Sequence, residues 1–370
     1  MRFIHLADVH LGAVPDRGYA WSARREEEIW DSFRRVIALI RNDPVDLLLI
    51  AGDLFHRPPL ASQAREVRDL FRMIPDTRVY MMAGNHDYLK AGSPYLTTDW
   101  PDNVYVFSTQ EPRRVADPQL PVYIYGLSYE AQQITLPLYR DFAPWTDEDE
   151  AGEDAGPDEA LHILLAHGGD PEHIPLNVRE LSAAGFDYIA LGHIHRPQIL
   201  ITDRAAYCGA LEPIDRDDTG PHGYVLGWTQ NGRLRTRFVT FASRSYHHLE
   251  TELSTEDTRT TIEERIRQEI LSQGPGDIYV IRLTGERAPD LVIFPEKLKR
   301  LGNVLEVLDE SRPRYDLEEL YHRYRGTIIG DYIHSFFGRE GDSLPEAEEK
   351  ALFYGLQALL ETVEPSGSFL

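Results

Sequence analysis

Short apolar runs that stop at polar, metal-type residues constrain this chain more than any other feature. Six such runs occupy 3–7, 45–51, 78–83, 122–125, 162–166 and 188–191. Each fits the four to eight residues of a buried strand and is rich in Ile, Leu, Val or Tyr. Helical patterns fall between them. Over 24–41, Ile29, Phe33, Val36, Ile37 and Ile40 share one helical face. Over 62–74, Val67, Leu70, Phe71 and Ile74 do the same, with Ser62 as the expected N-cap. Strand and helix in alternation predict an α/β layered fold.

Five polar clusters each begin within about two residues of the end of one of these runs. They are Asp8-Val9-His10, Gly52-Asp53-Leu54-Phe55-His56, Gly84-Asn85-His86-Asp87, His167-Gly168-Gly169 and Gly192-His193-Ile194-His195. Taken singly, each has a bland reading. Gly-Asp and Gly-Asn are ordinary turn pairs, a lone histidine is more often satisfied in a core, and His193 and His195 would share one polar strand face. Taken jointly they do not, because ligands in open α/β sheets bind outside the carboxyl ends of the strands. Mostly parallel strands would bring all five clusters to one rim. The set offers carboxylates, imidazoles and an amide but no thiolate. That is a poor structural zinc site and a good one for Mn²⁺ or Fe²⁺. Asp8, His10, Asp53, Asn85, His167, His193 and His195 are more donors than one ion needs. Two ions about 4 Å apart, bridged by one carboxylate, would use them all. The glycines allow sharp turns and a close backbone approach.

Beyond residue 207 the pattern changes to closely spaced short strands. The stretches 224–228 and 234–241 flank Asn231-Gly232, a hairpin turn signal. A second unit is expected after Ser243. Thr260 with Glu263, or Thr261 with Glu264, has capping-box spacing for a helix ending near Leu271. Strands are expected over 278–283 and 303–308. From Asp316 onward the chain reads as helical, with 365–370 frayed. The expected organisation is therefore 1–242, a small α/β unit over 243–312 and a helical region over 313–370. In that last region Tyr321, Tyr324, Ile328, Ile329, Tyr332, Ile333 and Phe336 form an apolar-aromatic series. It serves either packing onto the protein's own domains or a partner.

Composition enters as a constraint on partners. The formal net charge is -23, whereas a simple electrostatic binder of nucleic acid is basic. The stretch 147–159 holds eight acidic residues and no basic one, so the remainder stands at -23 + 8 = -15. That stretch is expected to be a solvated loop. The single cysteine, Cys208, excludes an intrachain disulfide and reads as a small buried hydrophobe. No signal peptide or membrane span is visible, which points to the cytoplasm.

In order and spacing the five clusters resemble the calcineurin-like metallophosphoesterase superfamily. The longer forms, Asp8-Val9-His10-Leu11-Gly12 and Gly52-Asp53-Leu54-Phe55-His56, resemble SbcD-type DNA repair exonucleases, including the YhaO-like branch. The motif-bearing likeness covers about residues 1–200. It implies a layered β-sandwich flanked by helices, followed by a smaller α/β capping domain and a helical C-terminal region. By the same resemblance Asp8, His10, Asp53 and His195 hold a first divalent ion. Asp53 bridges to a second, which Asn85, His167 and His193 complete. Mn²⁺ is the metal it favours, with Fe²⁺ or Mg²⁺ as alternatives. His86 contacts the scissile phosphate without being a ligand, His56 faces DNA, and Asp87 orients by hydrogen bonding. The resemblance further implies DNA exonuclease activity, with single-strand endonuclease activity beside it, an SbcC-like SMC-type ATPase partner and a homodimer. A phosphodiesterase or phosphatase acting on a small nucleotide or a phosphoprotein is the alternative that the acidity favours. A non-catalytic scaffold is a third reading, against which stands the full set of donors.

Overall fold

In the computed structural model, residues 1–144, 160–337 and 344–363 are described. The acidic stretch over 146–159 and the tail over 365–370 lie outside them. In chain order the first part runs β1 (Arg2–Leu6), α1 (Ser22–Asn42), β2 (Leu47–Ala51), α2 (Ala61–Phe71), β3 (Arg78–Met82), α3 (Pro94–Thr97), β4 (Val104–Val106), β5 (Arg113–Ala116), β6 (Val122–Gly126), β7 (Leu161–His167), α4 (Val178–Ala183), β8 (Tyr188–Gly192), β9 (Gln198–Ile201), β10 (Ala205–Tyr207), β11 (Gly223–Gln230) and β12 (Arg233–Thr240). The second part runs β13 (Tyr246–Leu253), α5 (Arg259–Gln273), β14 (Ile278–Arg287), α6 (Pro295–Leu298), β15 (Asn303–Asp309), β16 (Arg312–Pro313), α7 (Leu317–Arg323), α8 (Ile328–Phe337) and α9 (Glu346–Val363). Two units divide the chain, Met1–His247 and His248–Leu370.

The first unit holds two six-stranded sheets, ordered β12-β11-β1-β2-β3-β4 and β5-β6-β7-β8-β10-β9. Strands β1 to β4 are mutually parallel, with Phe3 opposite Leu47 and Leu47 opposite Arg78. Strands β6, β7, β8 and β10 are parallel in the second sheet. Antiparallel strands flank each set. The apolar runs are continuous because both faces of each strand are covered. In β2, Leu47, Leu49 and Ala51 face the other sheet, together with Phe3, Tyr80, Ile163, Leu165, Tyr188 and Ala190. The alternate residues Leu48 and Ile50 join Ile29, Phe33, Val67 and Phe71 of α1 and α2. On the outer face of the second sheet, Tyr125, Leu164 and Ile189 pack with Leu181 and Phe186. The layers are therefore helix, sheet, sheet, helix. Burying each large apolar side chain contributes about 1.5–3 kcal/mol. The second unit has its own sheet of β13, β14, β15 and β16, with Ile262, Ile266 and Ile270 of α5 packed on Tyr279 and Ile281.

Two expected caps are displaced. Ser62 lies inside α2, whose cap is Leu60, with its N–H donating to Gln63 Oε1 at 2.9 Å. Neither Thr260 nor Thr261 caps α5. Thr258 does, and its hydroxyl accepts from the Thr261 N–H at 3.2 Å. The C-terminal aromatic series also divides. Ile329 and Ile333 are buried against Leu356, whereas Ile328 is 71% exposed. Cys208 is buried. Among the described residues no helix is long and apolar enough to cross a membrane.

His5 sits fully buried in β1, its Nδ1 3.0 Å from the Tyr188 hydroxyl. Burial pushes its pKa down to about 3, against about 6.5 in an unfolded chain. A depressed histidine stabilises the fold above pH 6.5, and that contribution drains away as pH falls toward 3. Because the full slope of about 1.4 kcal/mol per pH unit sets in only well below the unfolded value, urea unfolding followed from pH 6.5 to 5.5 should show a loss of about 1 kcal/mol from this residue. His5→Gln should have a shallower pH slope than the wild type by that amount. Equal slopes would show that His5 is not the titrating group.

Candidate metal centre

The carboxyl ends of β1, β2, β3, β7 and β8 meet at one rim. The Asp8 N–H donates to the Gly52 carbonyl at 3.2 Å and the His10 N–H to the Asp53 carbonyl at 3.0 Å, which joins the loop after β1 to the loop after β2. The second sheet reaches the same place through the His193 N–H, which donates to both Asp8 carboxylate oxygens at 3.1 and 2.9 Å. His167, the last residue of β7, has its Nδ1 2.9 Å from the Ala51 carbonyl. The donating nitrogen is therefore Nδ1, and Nε2 is left to face the rim.

The seven expected donors converge there. Asn85 Oδ1 lies 2.9 Å from His167 Nε2 and 3.2 Å from His193 Nδ1. Asp53 Oδ2 lies 3.3 Å from His167 Nε2 and 4.0 Å from His10 Nε2, between two groups of donors. His10 Nε2 and His195 Nε2 are 3.0 Å apart. Asp8 falls within ligand distance of His10 and His195 on one side, and of Asp53 and His167 on the other. The backbone is bent to achieve this. Asp8, His10, Asp53 and His193 have φ of 50, 53, 50 and 97°. Such residues persist only where the surroundings over-determine them, at about 1–3 kcal/mol each. Close approach also requires glycine at two places. A Cβ on Gly84 would lie 2.3 Å from Asp53 Oδ1, and one on Gly192 would lie 2.1 Å from the Ala51 carbonyl.

The electrostatics are those of a cation site. Asp8 and Asp53 are fully buried, and their oxygens meet imidazoles and backbone N–H groups. Burial pushes the Asp8 carboxyl up. Burial also opposes the charge on Asp53, but His167 and His10 beside it hold its carboxyl well below the usual range. His167 and His195 are each raised to about 9. Burial works against both, and is outweighed by Asp53 for His167 and by Asp218 for His195. Burial lowers His193 to about 4, helped by the charge of His167. Buried carboxylates interleaved with imidazoles need a compensating positive charge. The bare protein finds it in protons that a metal would displace. Among the described residues His10 Nδ1 is buried without a partner, and two ring nitrogens face each other at 3.0 Å. The residues fit two divalent cations better than they fit one another.

Around this centre, Asp87 ties two loops together. It accepts from the Gly84 N–H at 2.7 Å, from the Phe55 N–H at 3.0 Å and from the Tyr95 hydroxyl. Burial first, and the Asp53 charge next, raise it to about 7. His86 hangs over the rim with its ring 4.9 Å from that of His10 and stacked at 5.5 Å on that of His56. Its N–H donates to Asp53 Oδ1 at 2.9 Å. Burial lowers the His56 pKa, with the charges of His86, Arg57 and Arg17 acting the same way.

Residues 1–197 match the calcineurin-like phosphoesterase family. The chain belongs to that family. This calcineurin-like phosphoesterase is 30% identical over 265 residues to the metallophosphoesterase YhaO of Bacillus subtilis (strain 168), a match spanning 64% of this chain and 60% of that protein. It is 26% identical over 298 residues to the DNA double-strand break repair protein Mre11 of Haloferax volcanii, spanning 77% of this chain and 62% of that one. The chain thus spans about three fifths of the length of these relatives. A dimetal phosphatase from Danio rerio aligns at 14% identity and a TM-score of 0.35, over 65% of this chain and 99% of that one.

Sequence reasoning passed over three residues. Asp170 Oδ2 lies 2.6 Å from His193 Nε2, and Asp170 also lies within 3.0 Å of His173 Nδ1. Asp218 Oδ2 lies 3.0 Å from His195 Nδ1. Asp170 directly follows His167-Gly168-Gly169, so proximity alone was the available signal. Asp218 sits in an acidic loop with no motif around it.

The strand reading of His193 and His195 is corrected. Strand β8 ends at Gly192, and both histidines lie in the loop beyond it. They do not share a strand face. They turn different ring nitrogens toward the centre.

Proposed function

We propose that this phosphoesterase is a DNA nuclease that hydrolyses phosphodiester bonds with two bound divalent cations, Mn²⁺ foremost. The observation that carries the hydrolytic reading is the meeting of seven donors from five strand ends beneath His86. The two cations, when bound, acidify a water and offset charge on the phosphate oxygens. Asp53 lies between the two donor groups and holds them in register. His86 stands where a phosphate over the cations would meet its ring, and as imidazolium it gives a proton to the departing sugar oxygen. Hydroxide adds to phosphorus as the phosphorus–oxygen bond to that sugar breaks, so no covalent enzyme intermediate is formed. The loop carrying His56 supplies the face for the nucleic acid. Arg17 and Arg57 bear on His56 and place positive charge there despite the net -23.

The DNA substrate rests on the Asp8–Gly12 and Gly52–His56 motifs and on the likeness to a break-repair protein. Exposed Ile328 and Tyr354 on the C-terminal helices support a docking face for an SbcC-like ATPase. The second reading, a phosphodiesterase or phosphatase for a small nucleotide or phosphoprotein, is favoured by the acidic charge. One assay separates them. Single-stranded, hairpin and duplex-end DNA are compared with small phosphodiesters and a phosphoserine peptide, under Mn²⁺ and under Mg²⁺. The comparison is repeated with the ATPase and ATP added. DNA cleavage with the larger kcat/KM under Mn²⁺ is expected, and it should rise with the ATPase. Intact DNA alongside rapid turnover of the small substrates would replace the nuclease with the second reading.

A further inference from the structure

Two carboxylates outside the seven donors are built in the same way. Asp170 Oδ1 accepts from the backbone N–H groups of Glu172 and His173 at 2.7 and 2.9 Å, which leaves Oδ2 aimed at His193 Nε2. Asp218 Oδ2 accepts from the N–H groups of Ile214 and Asp215 at 3.0 and 3.2 Å and meets His195 Nδ1. Each carboxylate is thus fixed by two amides of a tight turn before it reaches its histidine. The turn around Asp170 is itself pinned. The Gly169 N–H donates to the His173 carbonyl at 2.8 Å, and the Ile174 N–H to the Ile134 carbonyl at 2.7 Å. The His173 ring packs on His193 with centroids 4.4 Å apart.

We propose that Asp170 is a positioning residue that acts through His193, with Asp218 doing the same for His195. By accepting from Nε2, Asp170 leaves Nδ1 as the one nitrogen of His193 able to bind a cation, on the side of Asn85 and His167. By accepting from Nδ1, Asp218 leaves Nε2 of His195, on the side of His10. The pair sorts two histidines of one short loop to the two ends of the centre. An imidazole whose outer nitrogen is held by a carboxylate is oriented, fixed in one tautomer and made a stronger donor. His173 shares Asp170 and walls the ring in. This role rests on the two-cation reading of the centre.

The test is calorimetric titration of Mn²⁺ into the metal-free full chain, as wild type, Asp170→Ala, Asp170→Asn, His193→Ala and the double variant Asp170→Ala/His193→Ala. The wild type should take two ions. Asp170→Ala should weaken one of them by about 10- to 100-fold, the usual cost of losing such a partner, and leave the other nearly unchanged. Asp170→Asn keeps the size and a carbonyl acceptor, so it should fall between the two. The double variant should be no worse than His193→Ala alone, because Asp170 acts through that ring. Wild-type affinity for both ions in Asp170→Ala, or additive losses in the double variant, would overturn the role. Three ions in the wild type and two in Asp170→Ala would overturn it differently, by making Asp170 and His173 ligands of a third ion. A wild type that takes no pair of ions sinks the centre itself together with this role, and the wild-type titration alone reveals that case.

Discussion

Asp53→Asn should lower phosphodiester hydrolysis by about a thousandfold or more in kcat/KM. A factor of that size is about 4 kcal/mol of transition-state stabilisation, within what a two-cation centre supplies. The geometry explains why one atom matters so much. Asp53 Oδ1 is occupied by the His86 N–H at 2.9 Å. Oδ2 is the oxygen that lies between His167 and His10. An asparagine that keeps the bond from His86 must place its amide nitrogen at the Oδ2 position. That NH₂ group donates only and cannot bind a cation. The variant should also lose much of the rise in melting temperature expected when Mn²⁺ is added to the wild type, since a ligand stabilises the state it binds by an amount that grows with the logarithm of its affinity. Metal content and the Mn²⁺-dependent melting shift measure this directly. A variant with two ions and activity within tenfold of wild type would remove Asp53 from the bridging role.

The main strands of the sandwich were legible because both their faces are covered, so their runs stay apolar up to the rim, with the buried His5 of β1 as an exception. That is also why the polar clusters stood out. Strands β4, β5 and β9 are short and partly exposed; β5 has no apolar run, and the runs over 104–107 and 199–201 stop at no polar motif that would single them out. Sheet order was not legible at all. Strand β11 pairs with β1 across more than 200 residues, with Arg2 opposite Trp228, and nothing local encodes that partner. At α5 three threonines crowd one turn. The two with a glutamate three residues on have the familiar spacing, yet the extended backbone falls at Thr258 (φ -111°, ψ 164°), where Thr261 replaces the glutamate. The loop after β8 shows the limit for the site. Two histidines two residues apart suggest one face, but φ of 97° at His193 breaks the alternation and sends the rings different ways. Asp170 and Asp218 are visible only once the fold brings them to those rings.

His86→Gln should separate chemistry from metal binding. The His86 N–H that donates to Asp53 is backbone and survives the substitution. The side chain meets the rings of His10 and His56, and its Nδ1 lies 3.3 Å from the His56 carbonyl. Two ions should therefore still bind, and KM should move little. The loss should fall on kcat, by about 10²- to 10⁴-fold, the range of a positioned proton donor. Its size should depend on the leaving group. A sugar alkoxide is a strong base and needs a proton as the bond breaks, so DNA should show the full loss. A nitrophenolate leaves without one, so a nitrophenyl phosphodiester should lose less than about tenfold. Equal losses on both substrates would make His86 a binder of phosphate charge and not a proton donor. Its Nδ1 or Nε2 also lies within ligand distance of His10 and His56. If His86→Gln lost one equivalent of metal, the ring would be a ligand, and the division between seven donors and one acid would have to be redrawn.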